Sequence, residues 1–136
     1  MSSVVIIGGT GSLGKSQRLN WCNLHLEMGL AHPDFAGQEI SDAFLTTFRA
    51  SFPTVRILTR DPSSANAQAL RSKGAEIHKL DDAPEALDRG FAGADVIVNA
   101  LTSSASDELK RSVVDAAARS SARVYFLGEF GWSIPL

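Results

Sequence analysis

The chain has 136 residues, of which 44% are hydrophobic and 21% charged, as is usual for one globular domain. A net charge of −2 and scattered basic residues give no electrostatic basis for binding nucleic acid or an anionic membrane. The single cysteine, Cys22, excludes an internal disulfide. No stretch approaches the ~20 apolar residues of a membrane span. We therefore expect a cytoplasmic protein with no nucleic-acid or membrane partner.

Strand and helix patterns alternate along the chain. The first predicted strand is apolar without alternation, as in a strand buried on both faces of a parallel sheet. The predicted strands are Val4–Ile7, Val55–Thr59, Ala75–Lys79, Asp95–Ala100 and Arg123–Leu127. Helices are predicted at Glu39–Phe52, Ser64–Lys73, Pro84–Phe91 and Ser106–Ser121. This alternation predicts an α/β fold: a Rossmann-like, doubly wound parallel sheet of about five strands in the order 3-2-1-4-5.

Local signals support the predicted helices. The first carries an apolar stripe at four-residue spacing, formed by Ile40, Phe44, Phe48 and Phe52. Gly74 ends the second helix, Pro84 suits the first turn of the third, and Ser106 caps the fourth.

A glycine-rich segment, Gly8–Gly14 (GGTGSLG), follows the first strand directly. Gly9, Gly11 and Gly14 fit the pattern G-x-G-x-x-G. Gly8, Gly11 and Gly14 fit a second pattern, G-x-x-G-x-x-G. Such spacing allows a tight turn, close backbone approach to a pyrophosphate and close helix packing, so it predicts dinucleotide binding. A structural turn remains an alternative. A mononucleotide P-loop over Gly9–Ser16 is disfavoured, because no later strand ends in a Walker-B acid.

Arg60 follows the second predicted strand. An acid at this place would bind a ribose 2′-hydroxyl, whereas an arginine accommodates a 2′-phosphate. The sequence therefore favours NADP(H) over NAD(H). The alternative is a surface ion pair between Arg60 and Asp61.

The segments VVIIGGTGSLG, VRILTRDPSS, LRSKGAEI, GADVIVNAL and VYFLGEFG resemble the NmrA-like family, which includes the isoflavone-reductase-like enzymes. These are atypical short-chain dehydrogenases. The resemblance implies that Thr10, Ser12 and Leu13 contribute to the diphosphate site and that Arg60 contacts the 2′-phosphate. It also implies that Ala100 and Leu101 line the nicotinamide side.

The chain departs from the family at its end. Gly128 replaces the serine of the usual Ser-Glu-Phe-Gly segment, and no lysine follows Lys110 to supply the catalytic lysine of the enzymatic branch. The resemblance therefore implies the NADP(H)-binding domain of an oxidoreductase, a fragment without catalytic residues that would meet a small-molecule substrate only in a full-length form. The alternative is a non-catalytic NAD(P)-sensing module that regulates a protein partner.

The spacing between the glycine loop and Arg60 is about twice the ~20 residues that the fold normally uses. Removing Lys15–Gly37 joins Gly14 to Gln38 and restores a continuous loop, helix and strand pattern. We hypothesise that residues 15–37 are a translated, retained intron, because the codons for Gly-Lys-Ser and Phe-Ala-Gly can contain splice-donor and splice-acceptor sequences. We also hypothesise that the tail 132–136 is foreign. The alternative is a genuine insertion with an extra helix at Leu19–Leu30. Because the segment follows the glycine loop directly, a third interpretation of the function is a defective product with no activity.

Other polar residues carry weaker signals. His25, His32 and His78 share no metal-ligand spacing, so no metal site is predicted. Asp81 and Asp82 mark a helix start or an adenine contact. The single tyrosine, Tyr125, lies inside a predicted strand, so the Tyr-x-x-x-Lys pair of typical short-chain dehydrogenases is absent.

Overall fold

The structure, a computed structural model, describes residues 2–8, 36–101 and 105–127. Five strands and four helices alternate along these residues. In chain order they are β1 (Ser3–Ile7), α1 (Ala36–Leu45), β2 (Thr54–Thr59), α2 (Ala65–Ser72), β3 (Glu76–Lys79), α3 (Pro84–Phe91), β4 (Val96–Asn99), α4 (Asp107–Arg119) and β5 (Val124–Phe126).

The strands form one parallel sheet in the order β3-β2-β1-β4-β5, as predicted. Strand β1 lies at the centre, with Ile7 level with Leu58 of β2 and with Asn99 of β4. The predicted strand positions are confirmed, with ends that differ by one residue at most.

Apolar side chains fill both faces of the sheet. On one face Val4 and Ile6 pack with residues of β2, α1 and α2, among them Leu45 and Leu70. On the other face Val5 and Ile7 pack with residues of α3 and α4, such as Phe91 and Val113. This arrangement explains why β1 has no polar alternation, because both of its faces are covered by helices.

The first helix differs from its prediction. It begins at Ala36 and ends at Leu45, and not at Phe52, although the turns that follow bring Phe44 and Phe52 edge to face at 5.1 Å. The Thr46 hydroxyl donates to the Asp42 carbonyl, and the Phe48 N–H reaches the Ala43 carbonyl, one residue beyond α-helical spacing. The Thr46 N–H still makes its helical bond to the same Asp42 carbonyl at 2.9 Å, so the departure from helical spacing lies at Phe48.

Phe48 is consequently 49% exposed, whereas the other members of the stripe pack against the core.

The other predicted helix signals are confirmed. The Ser106 hydroxyl accepts from the Leu109 N–H at 3.2 Å. Ser64 caps α2 in the same way, which was not predicted. Gly74, with φ +98°, follows α2, and Pro84 is the first residue of α3. No helix of the described residues is long and apolar enough to cross a membrane.

Arg56 connects β2 to the end of α3. Its Nη1 donates to the carbonyls of Gly90 at 2.8 Å and Ala92 at 3.1 Å, while its Nε lies 3.3 Å from a Glu76 carboxylate oxygen. A cation here satisfies carbonyls at a helix C-terminus and complements the helix dipole.

We expect Arg56→Leu to lower the free energy of unfolding by about 1–2 kcal/mol, because two carbonyls lose their charged donor. Glu76→Gln should cost less than about 0.5 kcal/mol, since it removes only an exposed ion pair. Urea denaturation of both variants measures the difference. Equal losses would show that the ion pair, and not the carbonyl contacts, stabilises the fold.

Candidate functional site

The candidate site lies at the carboxyl edge of the sheet, where β1 and β4 end side by side. Gly8 directly follows β1, and Ala100 and Leu101 directly follow β4. From β1 the chain continues to β2 and β3 on one side of the sheet, and then returns to place β4 and β5 on the other side of β1. In doubly wound sheets, this reversal of strand order opens a crevice in which ligands bind.

Hydrogen bonds join the end of β1 to both neighbouring strands. The Gly8 N–H donates to the Leu58 carbonyl at 2.9 Å, and the Ala100 N–H donates to the carbonyl of Ile7, the residue before Gly8, at 2.9 Å. A Cβ on Gly8 would lie 2.9 Å from the Ala100 carbonyl oxygen and 3.3 Å from the Leu101 Cα. With φ at +76°, the position also favours glycine on conformational grounds. The ends of β1 and β4 can therefore approach each other only because residue 8 has no side chain.

Arg60 lies at the same edge, directly after β2, and its side chain is exposed. The alternative ion pair with Asp61 is not formed: Asp61 accepts from the N–H and the hydroxyl of Ser63, and these bonds lower the pKa of its carboxyl. Within residues 2–8, 36–101 and 105–127, the Arg60 guanidinium makes no ion pair.

The structure thus brings Gly8 together with Ala100 and Leu101 and places Arg60 beyond β2 on the same edge. Five other predicted site residues, together with Cys22, His25 and His32, lie outside the described residues. Those five are Thr10, Gly11, Ser12, Leu13 and Gly14.

Sequence analysis missed a polar link beside this edge. Asn99, the last residue of β4, is 8% exposed; its amide donates to the Tyr125 hydroxyl at 3.0 Å, and its carbonyl accepts from the Leu101 N–H at 3.0 Å. Burial raises the pKa of the Tyr125 phenol above its usual value. The sequence signal that could have indicated this link was an asparagine at the end of an otherwise apolar strand.

Two weaker candidates have structural explanations. The Asp81 carboxylate accepts from the Ala83 N–H at 3.0 Å, which lowers the pKa of that carboxyl and makes Asp81 part of the turn before α3. His78 is exposed on β3, 3.9 Å from Glu76. Among the described residues, no group of histidine, cysteine, aspartate and glutamate side chains could hold a metal ion.

The sequence pattern of the NmrA-like family matches residues 36–133, more than half of the chain. The chain belongs to the NmrA-like family. The match begins at the first residue of α1 and confirms the family that the sequence segments indicated.

Solved structures share the fold at low sequence identity. Isoflavone reductase superposes with a TM-score of 0.63 at 18% identity over 96% of this chain and 36% of its own. The NADPH-dependent quinone oxidoreductase of Escherichia coli, solved with NADPH, gives 0.60 at 21% identity over 90% and 35%. An NmrA mutant gives 0.60 at 18% identity over 91% and 32%. This NmrA-like chain therefore spans about a third of the length of these relatives. No curated protein sequence matches it significantly.

We expect Gly8→Ala to destabilise this NmrA-like chain more than Gly93→Ala. Both glycines have positive φ, +76° and +71°, but a Cβ on Gly93 would meet no atom within 4 Å. The Gly93 variant should lose about 1 kcal/mol for its backbone conformation, and the Gly8 variant about 1–3 kcal/mol more for its clash with Ala100.

Urea denaturation of the two glycine variants gives the comparison. Equal losses would mean that the ends of β1 and β4 separate easily, and that Gly8 does not control their approach.

Proposed function

We propose that this chain is the NADP(H)-binding part of an NmrA-like, isoflavone-reductase-like oxidoreductase. The observation that carries the proposal is the close contact of Gly8 with Ala100 and Leu101, at the point where the two halves of the sheet diverge. Because the chain spans about a third of the length of these relatives, we propose cofactor binding and assign no substrate.

The residues present fit a dinucleotide. Gly8 would let the backbone turn out of β1 without obstructing the crevice, and residues 9–14 would supply N–H groups to the diphosphate. Ala100 and Leu101 would face the nicotinamide side. The quinone oxidoreductase structure, which contains NADPH, supports this class of cofactor. When bound, NADPH supplies a hydride, and the part of this chain is to hold and orient it.

A preference for NADP(H) over NAD(H) is proposed from Arg60. Its exposed guanidinium, without an ion pair among the described residues, would meet the 2′-phosphate that distinguishes the two cofactors.

We expect Arg60→Gln to weaken NADPH binding about tenfold and to leave NADH binding unchanged, because a charge-assisted hydrogen bond contributes about 1.5–3 kcal/mol. Arg123→Gln is the matched control: it removes the same charge at the opposite edge of the sheet, just before β5. Calorimetric titration of both variants with both cofactors measures the effect. A similar loss for NADH, or for the control variant, would contradict recognition of the 2′-phosphate by Arg60.

A reductase and a regulatory NAD(P) sensor remain two versions of this proposal. Gly8, Arg60, Ala100 and Leu101 would supply binding contacts in both, and none of them is an acid or base suited to reduction. Substrate-dependent oxidation of NADPH by a full-length form would support the reductase. Binding to a protein partner that changes with NADP(H), without oxidation, would support the sensor.

We also propose that residues 15–37 are an insertion. Gly37 is buried in the first turn of α1, and its carbonyl accepts from the Ser41 hydroxyl at 2.7 Å. Removing residues 15–37 places Gly14 directly before Gln38, at the position that Gly37 occupies in the helix. The joined sequence would therefore keep a glycine where the helix packs closely, which is the expected role of the last motif glycine.

Deletion of residues 15–37 should therefore yield a folded chain that binds NADPH more tightly than the present one. Calorimetry measures the binding, and circular dichroism checks the fold. Comparison of genomic and transcript sequence over this segment tests its origin as a retained intron. An unfolded deletion variant would contradict the proposed insertion. Transcripts in which the segment is always present as spliced exon sequence would contradict its origin as a retained intron.

A further inference from the structure

Asn99 joins two parts of the sheet that the local sequence does not connect. Its side chain is buried at the end of β4, yet both ends of the amide have partners: the Tyr125 hydroxyl of β5 and the Leu101 N–H. A carboxamide can donate and accept at once, so it suits a buried position between an acceptor and a donor. A leucine of similar size would leave both partners without this bond.

The residues that follow Asn99 are the ones that contact Gly8. The Leu101 N–H is held by the Asn99 side chain, and the Ala100 N–H is held by the Ile7 carbonyl. The Ala100 carbonyl lies between these two anchors and the Leu101 Cα directly follows the second, and a Cβ on Gly8 would contact both. Within this turn, residues 99–101, the position of Leu101 therefore depends on the orientation of the Asn99 amide.

Tyr125 fixes that orientation from the neighbouring strand. It lies level with Ile97, two residues before Asn99 and on the same face of the sheet, and its ring packs against the core there. The ring thus holds the hydroxyl in place while the hydroxyl holds the amide. Loss of the hydroxyl would let the amide rotate and weaken its bond to Leu101.

We infer that Asn99 and Tyr125 are positioning residues of the dinucleotide site, which hold the 99–101 turn beside Gly8 in the geometry that the cofactor needs. The inference rests on the proposed function, because it assigns these residues a role in NADPH binding. Neither residue needs to touch the cofactor. They act through the backbone of Ala100 and Leu101.

The test compares Tyr125→Phe with the unaltered chain by calorimetric titration with NADPH and by amide hydrogen exchange without ligand. The variant keeps the ring, so the fold should persist. We expect NADPH affinity to fall roughly threefold to tenfold, since binding must then order the turn. Exchange of the Leu101 amide should accelerate, whereas that of Ala100, bonded to Ile7, should stay unchanged. Asn99→Leu should show a larger effect on both measurements.

Ser3→Ala is the control for a general loss of stability. It removes hydrogen bonds to Gly93 and Asp95 at the opposite edge of the sheet and should leave both NADPH affinity and Leu101 exchange unchanged. If Tyr125→Phe binds NADPH as tightly as the unaltered chain, or if Leu101 exchange does not change, the inference is wrong and the proposed function stands. If the unaltered chain binds no NADPH, the proposed function is wrong, and the inference falls with it.

Discussion

Strand β1 is buried on both faces, and the rest of the sheet takes its position from it. Its side chains from Val4 to Ile7 are almost inaccessible to solvent, and its backbone pairs with β2 on one side and β4 on the other. The backbone of Gly8 then passes so close to Ala100 that a side chain would collide with it. The candidate site is thus a consequence of how the central strand is enclosed.

Much of this fold could be predicted because its signals are local. A strand without polar alternation, a serine before a helix, or a glycine after one each reports its structure within a few residues. The end of α1 was harder, because the four-residue phenylalanine spacing suggests one helix through Phe52. A wider turn, in which the Phe48 N–H bonds to the Ala43 carbonyl five residues back, ends the helix earlier. Such a change in backbone hydrogen bonding leaves no periodic trace in the sequence.

The candidate site was only partly visible in the sequence. Gly8, Arg60, Ala100 and Leu101 could be assigned to one edge because parallel strands bring their carboxyl ends together. The bond between Asn99 and Tyr125 joins residues 26 positions apart on adjacent strands. No motif connects them, and their partnership depends on the exact register of β4 against β5. The family and the fold could be predicted from the sequence. Neither of them determines the reaction, because one fold supports many functions.

The hydrogen bonds of Arg56 determine which elements unfold together. Its hydrogen bond to the Gly90 carbonyl spans 34 residues, and the segment it closes contains α2, β3 and α3. Partial unfolding of α3 would leave the Arg56 guanidinium on β2 without its carbonyl acceptors, and displacement of β2 would leave the carbonyls at the end of α3 without their donor. These elements should therefore lose their structure together, as one cooperative unit, and a fluctuation that opens only one of them should be rare.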